Sequence, residues 1–249
     1  MPVLGVIPAR LGSSRLPRKP LRLLAGEPLV LRVVRRLQSF AACDRVVVAT
    51  DALEIASVVR AAGFEAVLTA STHESGTERI AEVAGRREYA DYDQLLNVQG
   101  DEPLVAAAAV HGTLERLQLG DPIGTAAGRL DAALAGDPNR VKVVVGPDGR
   151  AVYFSRAPIP FDRDGTRSVI YHQHVGVYGY TRQALERWVR LPAVPEERWE
   201  RLEQLRPLLH GIPIGVARFD EAPAPGVDTA DDLRWAEQAL AETSKGVSS

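Results

Sequence analysis

The chain has 249 residues, 45% hydrophobic and 25% charged, with a formal net charge of −2, a composition that suits one large soluble domain with a substantial core. The near-neutral balance gives no support to a nucleic-acid or anionic-membrane partner, and no apolar run approaches the ~20 residues of a membrane span. Cys43 is the only cysteine, which excludes an internal disulfide and fits a reducing cytoplasm; neither a secretion signal nor a repeat is expected.

Val3–Ile7 is a short apolar run of the kind that forms a buried strand, and it stops at Pro8. A loop follows with Gly12, Ser13 and Ser14 and four cations, Arg10, Arg15, Arg18 and Lys19. A strand feeding such a loop sets N–H groups and positive charge at the carboxyl edge of a sheet, where α/β proteins bind ligands. Guanidinium forks suit phosphate oxygens, and a lysine adds a compact charge. A solvated basic loop is the competing reading. Neither GxxxxGK[ST] nor GxGxxG follows the strand, so side-chain cations rather than a glycine cradle would do the binding.

Leu29–Phe40 alternates apolar residues and arginines at helical spacing. Arg45–Thr50 is a second strand, with Asp51 placed to cap a helix over Ala52–Ala61 that Gly63 ends. Glu65–Leu68 is expected as a strand, Thr77–Arg87 as a helix and Gln94–Val98 as a strand running into Gln99-Gly100-Asp101-Glu102-Pro103. Strands alternating with helices predict an α/β fold, a mostly parallel sheet flanked by helices.

The second half is less regular. Strands are predicted over Ile123–Arg129 and Val141–Val145, and the Pro147-Asp148-Gly149 turn predicts a hairpin with Ala151–Ser155. Pro158–Thr166 reads as a loop, His174–Tyr180 as a strand, Gln183–Val189 and Glu196–Leu209 as helices, and Ile214–Ala217 as a strand. The Gly226-Val227-Asp228-Thr229 turn leads into a helix over Ala230–Ala241 that Thr229 is placed to cap, and residues 244–249 read as a frayed tail. The whole is expected to be a single domain, 1–249, in which 123–180 includes a small inserted subdomain or dimerisation arm.

Asp101 and Asp228 each follow a strand, and two carboxylates beside a cationic loop suggest a Mg²⁺ site completed by substrate phosphates. Each also has a plain reading, as an Asx turn or a cap. Ser75-Gly76-Thr77 offers hydroxyls and N–H groups at a helix start, although a capping box from Ser75 to Glu78 explains it as well. His174 and Tyr178, four residues apart in a strand, share a face and read as a packed pair, and Glu203-Gln204 reads as helix surface. No GxSxG, HExxH or zinc spacing occurs.

The blocks IPARLGSSRLPRKPL, VATD, HESGTERIAEV, NVQGDEPL, DPNRVKVV, YFSRAPIP, HVGVYGY, LEQLR and GVDTADDL, in this order over residues 3 to 234, resemble the 3-deoxy-manno-octulosonate (Kdo) cytidylyltransferases. The resemblance implies a Rossmann-like nucleotide-diphospho-sugar transferase fold, a homodimer, and transfer of CMP from CTP to the anomeric hydroxyl of Kdo. The products would be CMP-Kdo, for lipopolysaccharide synthesis, and pyrophosphate. It implies that Ala9, Arg10, Arg15, Lys19, Ser75, Gly76 and Arg79 bind the nucleotide, with Arg15 and Lys19 catalytic. Asp101 and Asp228 would hold Mg²⁺. Gln99, Arg156, His174, Tyr178, Glu203 and Gln204 would surround the sugar. Another acid sugar, the 8-amino analogue or a sialic acid, and a non-catalytic nucleotide binder are the alternatives. Three features depart from the family: Arg18 stands where glycine is common, Asp162–Tyr171 is short, and Ala230 replaces a proline.

Overall fold

The computed structural model describes residues 1–13, 15–165 and 169–246. Ser14 of the basic loop, residues 166–168 of the shortened segment and residues 247–249 of the tail lie outside the described residues. In chain order the elements are β1 (Val3–Ala9), β2 (Leu23–Leu24), β3 (Glu27–Pro28), α1 (Leu29–Ser39), β4 (Arg45–Thr50), α2 (Leu53–Ala61), β5 (Glu65–Leu68), α3 (Gly76–Ala84) and β6 (Gln94–Val98). There follow α4 (Ala107–Gln118), β7 (Ile123–Leu130), β8 (Lys142–Val145), β9 (Ala151–Ser155) and β10 (Tyr171–Thr181). The chain ends with α5 (Arg182–Trp188), α6 (Pro195–Glu200), α7 (Leu205–Leu209), β11 (Ile214–Phe219) and α8 (Ala230–Gly246). Among the described residues no helix is long and apolar enough to cross a membrane.

The described chain forms two compact units, one of residues 1–92, 97–105 and 224–249, the other of residues 93–96 and 106–223. In the first, the strand order is β1-β4-β5, and β1 pairs in parallel with β4 and β4 with β5. All seven residues of β1 are buried, as a continuous apolar run in a parallel sheet requires. The apolar face of α1 buries Leu29, Val30, Leu31, Val33, Val34 and Leu37 and leaves its arginines outside, as the sequence period predicts. A separate cluster joins Leu16 of the basic loop to Leu24, Leu29, Val227 and Ala236. Burying one such side chain is worth about 1.5–3 kcal/mol, so these residues anchor the polar segments they flank.

In the second unit β7 pairs in parallel with β11 and antiparallel with β10, while β8 pairs antiparallel with both β9 and β10. Here the structure adds what the sequence reading lacks. The helix α4 is absent from the pattern analysis because its alanine run and internal Gly112 blur the apolar stripe. The reason for the glycine is steric: a Cβ at Gly112 would lie 2.6 Å from Cβ of Ala217 on β11.

Several boundaries change. Ala52, not Asp51, is the N-terminal cap of α2, and its N–H donates to Thr50 Oγ1 at 3.1 Å, because Asp51 is turned toward Arg79. The expected 77–87 helix stops at Ala84, and a separate 3-10 turn covers Arg87–Tyr89. The expected 196–209 helix is two helices, interrupted by Arg201 in the left-handed region at φ 52°. β10 begins at Tyr171 rather than His174, and α8 continues to Gly246, so 244–246 belong to the helix rather than to a frayed tail.

Candidate functional site

The basic loop and the two aspartates meet within the first unit. β1 delivers buried Ala9 and exposed Arg10, and the chain then turns through Arg18 at φ 58° into the 3-10 turn Lys19–Leu21. Lys19 Nζ donates to Asp101 Oδ2 at 2.6 Å and to Asp228 Oδ1 at 2.9 Å. The other oxygen of Asp228, Oδ2, lies 2.8 Å from the Arg15 guanidinium. Two backbone features bring these residues together. The N–H of Val227 donates to Asp101 O at 2.8 Å, tying the turn before α8 to the turn after β6. A Cβ at Gly100 would lie 2.7 Å from Pro8 O, so only glycine lets the β6 turn close on the end of β1. Thr229 caps α8 as expected: its Oγ1 accepts from Asp232 N, and Asp232 Oδ2 accepts from Thr229 N in return.

The electrostatics follow from this geometry. Burial works against the charge of Lys19, but Asp101 and Asp228 outweigh it and raise its pKa. Burial likewise opposes the Asp228 carboxylate, and the Lys19 and Arg15 cations overcome it and lower its pKa. For Glu102 the balance goes the other way, because Lys19 opposes the shift only in part. Burial first, then the charges of Asp101 and Asp228, push it up to about 8, so the carboxyl holds its proton at neutral pH. Sequence reasoning passed over Glu102, although the adjacent acids of the GDEP turn were a visible signal.

Two carboxylates converging on one ammonium mark a position where a cation is held. Among the described residues no group of three or more His, Cys, Asp or Glu side chains surrounds one point. A metal here would take two protein carboxylates and draw its remaining oxygens from elsewhere, which is how Mg²⁺ is usually bound.

Beside this lies the start of α3. Ser75 Oγ accepts from Glu78 N at 3.2 Å, so the expected cap is present, while the Glu78 carboxylate accepts from Glu74 N rather than completing the box. Gln99 belongs here too: a Cβ at Gly76 would meet its side-chain amide at 3.5 Å. The loop before α3 is strapped down by Glu82, whose Oε2 takes the Ala70 N–H at 2.8 Å and lies 2.6 Å from His73 Nε2. Arg79 is buried, its guanidinium bonded to Asp51, Thr69 and the Ala70 carbonyl. Arg18 reaches Glu54 of α2.

The second unit contains the other expected residues. His174 Nε2 is 3.0 Å from Thr125 Oγ1, whose hydroxyl hydrogen is committed to Val177 O at 2.7 Å. The network therefore assigns the imidazole proton to Nε2. Burial lowers the pKa of His174 to about 3, leaving it neutral. Its ring lies 5.3 Å from that of Tyr178, despite a register shift of β10 between Val175 and Tyr178. Tyr178 is buried and its hydroxyl has no hydrogen-bond partner among the described residues, an orphaned group that a polar ligand atom would satisfy. Glu203 and Gln204 lie in the turn between α6 and α7, not on a helix surface, and Gln204 is buried. The Arg156 guanidinium donates to the carbonyls of Glu200, Pro138 and Arg201.

Cations and carboxylates gathered on the loops of a parallel sheet, next to a capped helix start, are how α/β proteins hold polyphosphates; by fold and site the chain is of the nucleotide-binding α/β class. It belongs to the cytidylyltransferase family, whose model matches residues 4–214. The 3-deoxy-manno-octulosonate cytidylyltransferase of Gemmatimonas aurantiaca is 52% identical over 238 residues, spanning 94% of this chain and 92% of that one. Its counterpart from Acidobacterium capsulatum is 45% identical, with 98% of each chain covered. The solved structure of a CMP:2-keto-3-deoxy-manno-octonic acid synthetase complexed with CTP superposes with a TM-score of 0.90 at 39% identity, covering 98% of this chain and all of that one.

Proposed function

We propose that this protein transfers CMP from CTP to the anomeric hydroxyl of Kdo, releasing pyrophosphate, in the cytoplasm and as a homodimer. The observation that carries this reading is the meeting of Lys19 and Arg15 with Asp101 and Asp228, in a chain whose relatives act on this sugar acid. Arg10, Arg15 and Lys19 would hold the triphosphate, and Ala9, Ser75, Gly76 and Arg79 the nucleoside. Asp101 and Asp228 would hold Mg²⁺, which when bound neutralises the α-phosphate and lowers the pKa of the attacking hydroxyl. Lys19 is then free of its carboxylates to meet charge developing on the phosphates, with Arg15 beside it. Gln99, Arg156, His174, Tyr178, Glu203 and Gln204 are assigned to the sugar. A neutral His174, whose Nε2–H is given to Thr125, can accept at Nδ1 without adding charge. The C2 hydroxyl would attack the α-phosphorus in line, and pyrophosphate would leave; positioning and charge neutralisation supply the catalysis.

The single-domain assignment over 1–249, with 123–180 as sugar-side and dimerisation segment, belongs to the same proposal. The dimerisation part of it is supported by large exposed apolar residues in that stretch: Val152, Phe161 and Ile170 are 61%, 78% and 57% exposed. The test of the reaction is pyrophosphate release from purified protein with CTP and Mg²⁺, with and without Kdo. Release only with Kdo is the expected result. CTP binding without release overturns the assignment in favour of another acid sugar or a non-catalytic binder.

A further inference from the structure

Lys142 is a cation inside the second unit, on a strand of valines, and its side chain is fully buried. Its ammonium has three N–H donors, and three backbone carbonyls take them: Asp137 O at 3.0 Å, Arg140 O at 2.5 Å and Arg156 O at 2.5 Å. None of these acceptors belongs to a side chain. The ammonium thus does the work of a structural ion, drawing the loop 137–140 and the end of β9 onto one point.

The same segments are tied a second time. The Glu200 carboxylate accepts from Ser155 Oγ at 2.5 Å and from the Arg156 N–H at 2.9 Å. Arg156 in turn donates from Nε to Glu200 O at 2.6 Å, and from its two terminal nitrogens to Pro138 O at 2.8 Å and Arg201 O at 3.3 Å. A guanidinium has five N–H donors. With three committed in this way, one remains on each terminal nitrogen for a carboxylate to take. Immediately beyond Arg201 the chain makes the turn that contains Glu203 and Gln204.

We propose that Lys142 and Glu200 are positioning residues for the acceptor: they hold Arg156, and the turn after Arg201, in the geometry that receives the carboxylate of the sugar acid. Neither touches the acceptor. The inference rests on the proposed reaction and adds residues that the sequence reading did not single out. A signal was present, since a lone lysine inside a run of β-branched residues is an inward-facing charge that must be satisfied.

The test compares the unaltered protein with Lys142→Met, Glu200→Ala and Glu200→Gln, measuring KM for Kdo in the pyrophosphate assay and Kd for CTP by calorimetry without Kdo. Lys142→Met and Glu200→Ala are expected to raise KM for Kdo by about tenfold or more, as loss of geometry does. Kd for CTP should stay within about twofold, because among the described residues the nucleotide residues share no hydrogen-bond partner with this network. Glu200→Gln, which keeps the shape and one acceptor oxygen, should recover most of the loss. Should Lys142→Met fail to fold, the two Glu200 variants decide the matter. Unchanged KM for Kdo in the folded variants, or an equal loss of CTP affinity, overturns the inference. Absence of Kdo-dependent turnover in the unaltered protein overturns the functional reading itself, and this inference with it.

Discussion

Two lysines in this protein hold their charge in opposite ways. Lys19, in the first unit, is 15% exposed and bonded to two carboxylates, whose charges raise its pKa. Lys142, in the second, is fully buried and bonded to three backbone carbonyls; burial lowers its pKa, with Asp137 opposing. Carboxylates are exchangeable partners, since an incoming metal or phosphate can replace what the ammonium gives up. Carbonyls inside a core have no alternative donor. The first arrangement is suited to a site that rearranges when ligands bind, the second to a framework that does not.

The largest effect should come from breaking the exchangeable arrangement. Asp101→Asn removes the charge that Lys19 and a divalent cation would share, and turnover should fall by about 100-fold or more while the fold persists. Steady-state pyrophosphate release with a thermal melt on the same sample checks this, and full activity would remove Asp101 from the cation site. Gly100→Ala tests the backbone that delivers Asp101. Its Cβ would press on Pro8 O, so a loss of stability of about 1–3 kcal/mol is expected in urea unfolding, with weaker CTP binding.

A smaller effect concerns the strap on the loop before α3. Burial opposes the Glu82 carboxylate, but Arg86, the Ala70 N–H and His73 outweigh it and lower its pKa to about 2 from an ordinary 4.5. A depressed carboxylate contributes stability that is fully present above its unfolded pKa and is lost as the pH falls toward the folded one. The melting temperature should therefore decline between about pH 4.5 and 2, and less steeply in Glu82→Gln, if thermal melts are compared across that window. At neutral pH the same variant should weaken CTP binding by a few fold.

The smallest change is expected at Arg18. Glycine there relieves a left-handed residue, worth roughly 1 kcal/mol, but gives up the exposed pair with Glu54, worth about 0–1 kcal/mol. Arg18→Gly should alter stability by less than about 1 kcal/mol and CTP affinity by less than about twofold. A tenfold loss of affinity would place Arg18 on the nucleotide instead of on Glu54.

Much of the first unit was readable in the order of its residues. Strands β1, β4 and β5 have local signatures, namely short apolar runs closed by turns, and the loops around the sheet carry the cations and carboxylates in plain view. Thr229 and Ser75 are caps that depend only on residues three positions away, and both were found. What the sequence by itself determined, then, was the alternation of elements, the chemistry gathered at strand ends and, through a resemblance spread over nearly the whole chain, the family.

The tertiary structure decided the rest, because the deciding contacts join residues far apart in the chain. Asp101 and Asp228 meet through the Val227 to Asp101 hydrogen bond and their shared partner Lys19, and Gly100 has its role because Pro8 lies against it. Gly112, which reads as a blemish in a helix, is required by Ala217 on a distant strand. Asp51 fails as a cap because Arg79 draws it away, and the 196–209 helix breaks at Arg201, whose carbonyl accepts from Arg156. Lys142 is intelligible only with the carbonyls of residues 137, 140 and 156 around it. Local patterns report what a residue prefers; burial decides which preference is met, because a polar group away from water must find its partner wherever the fold supplies one.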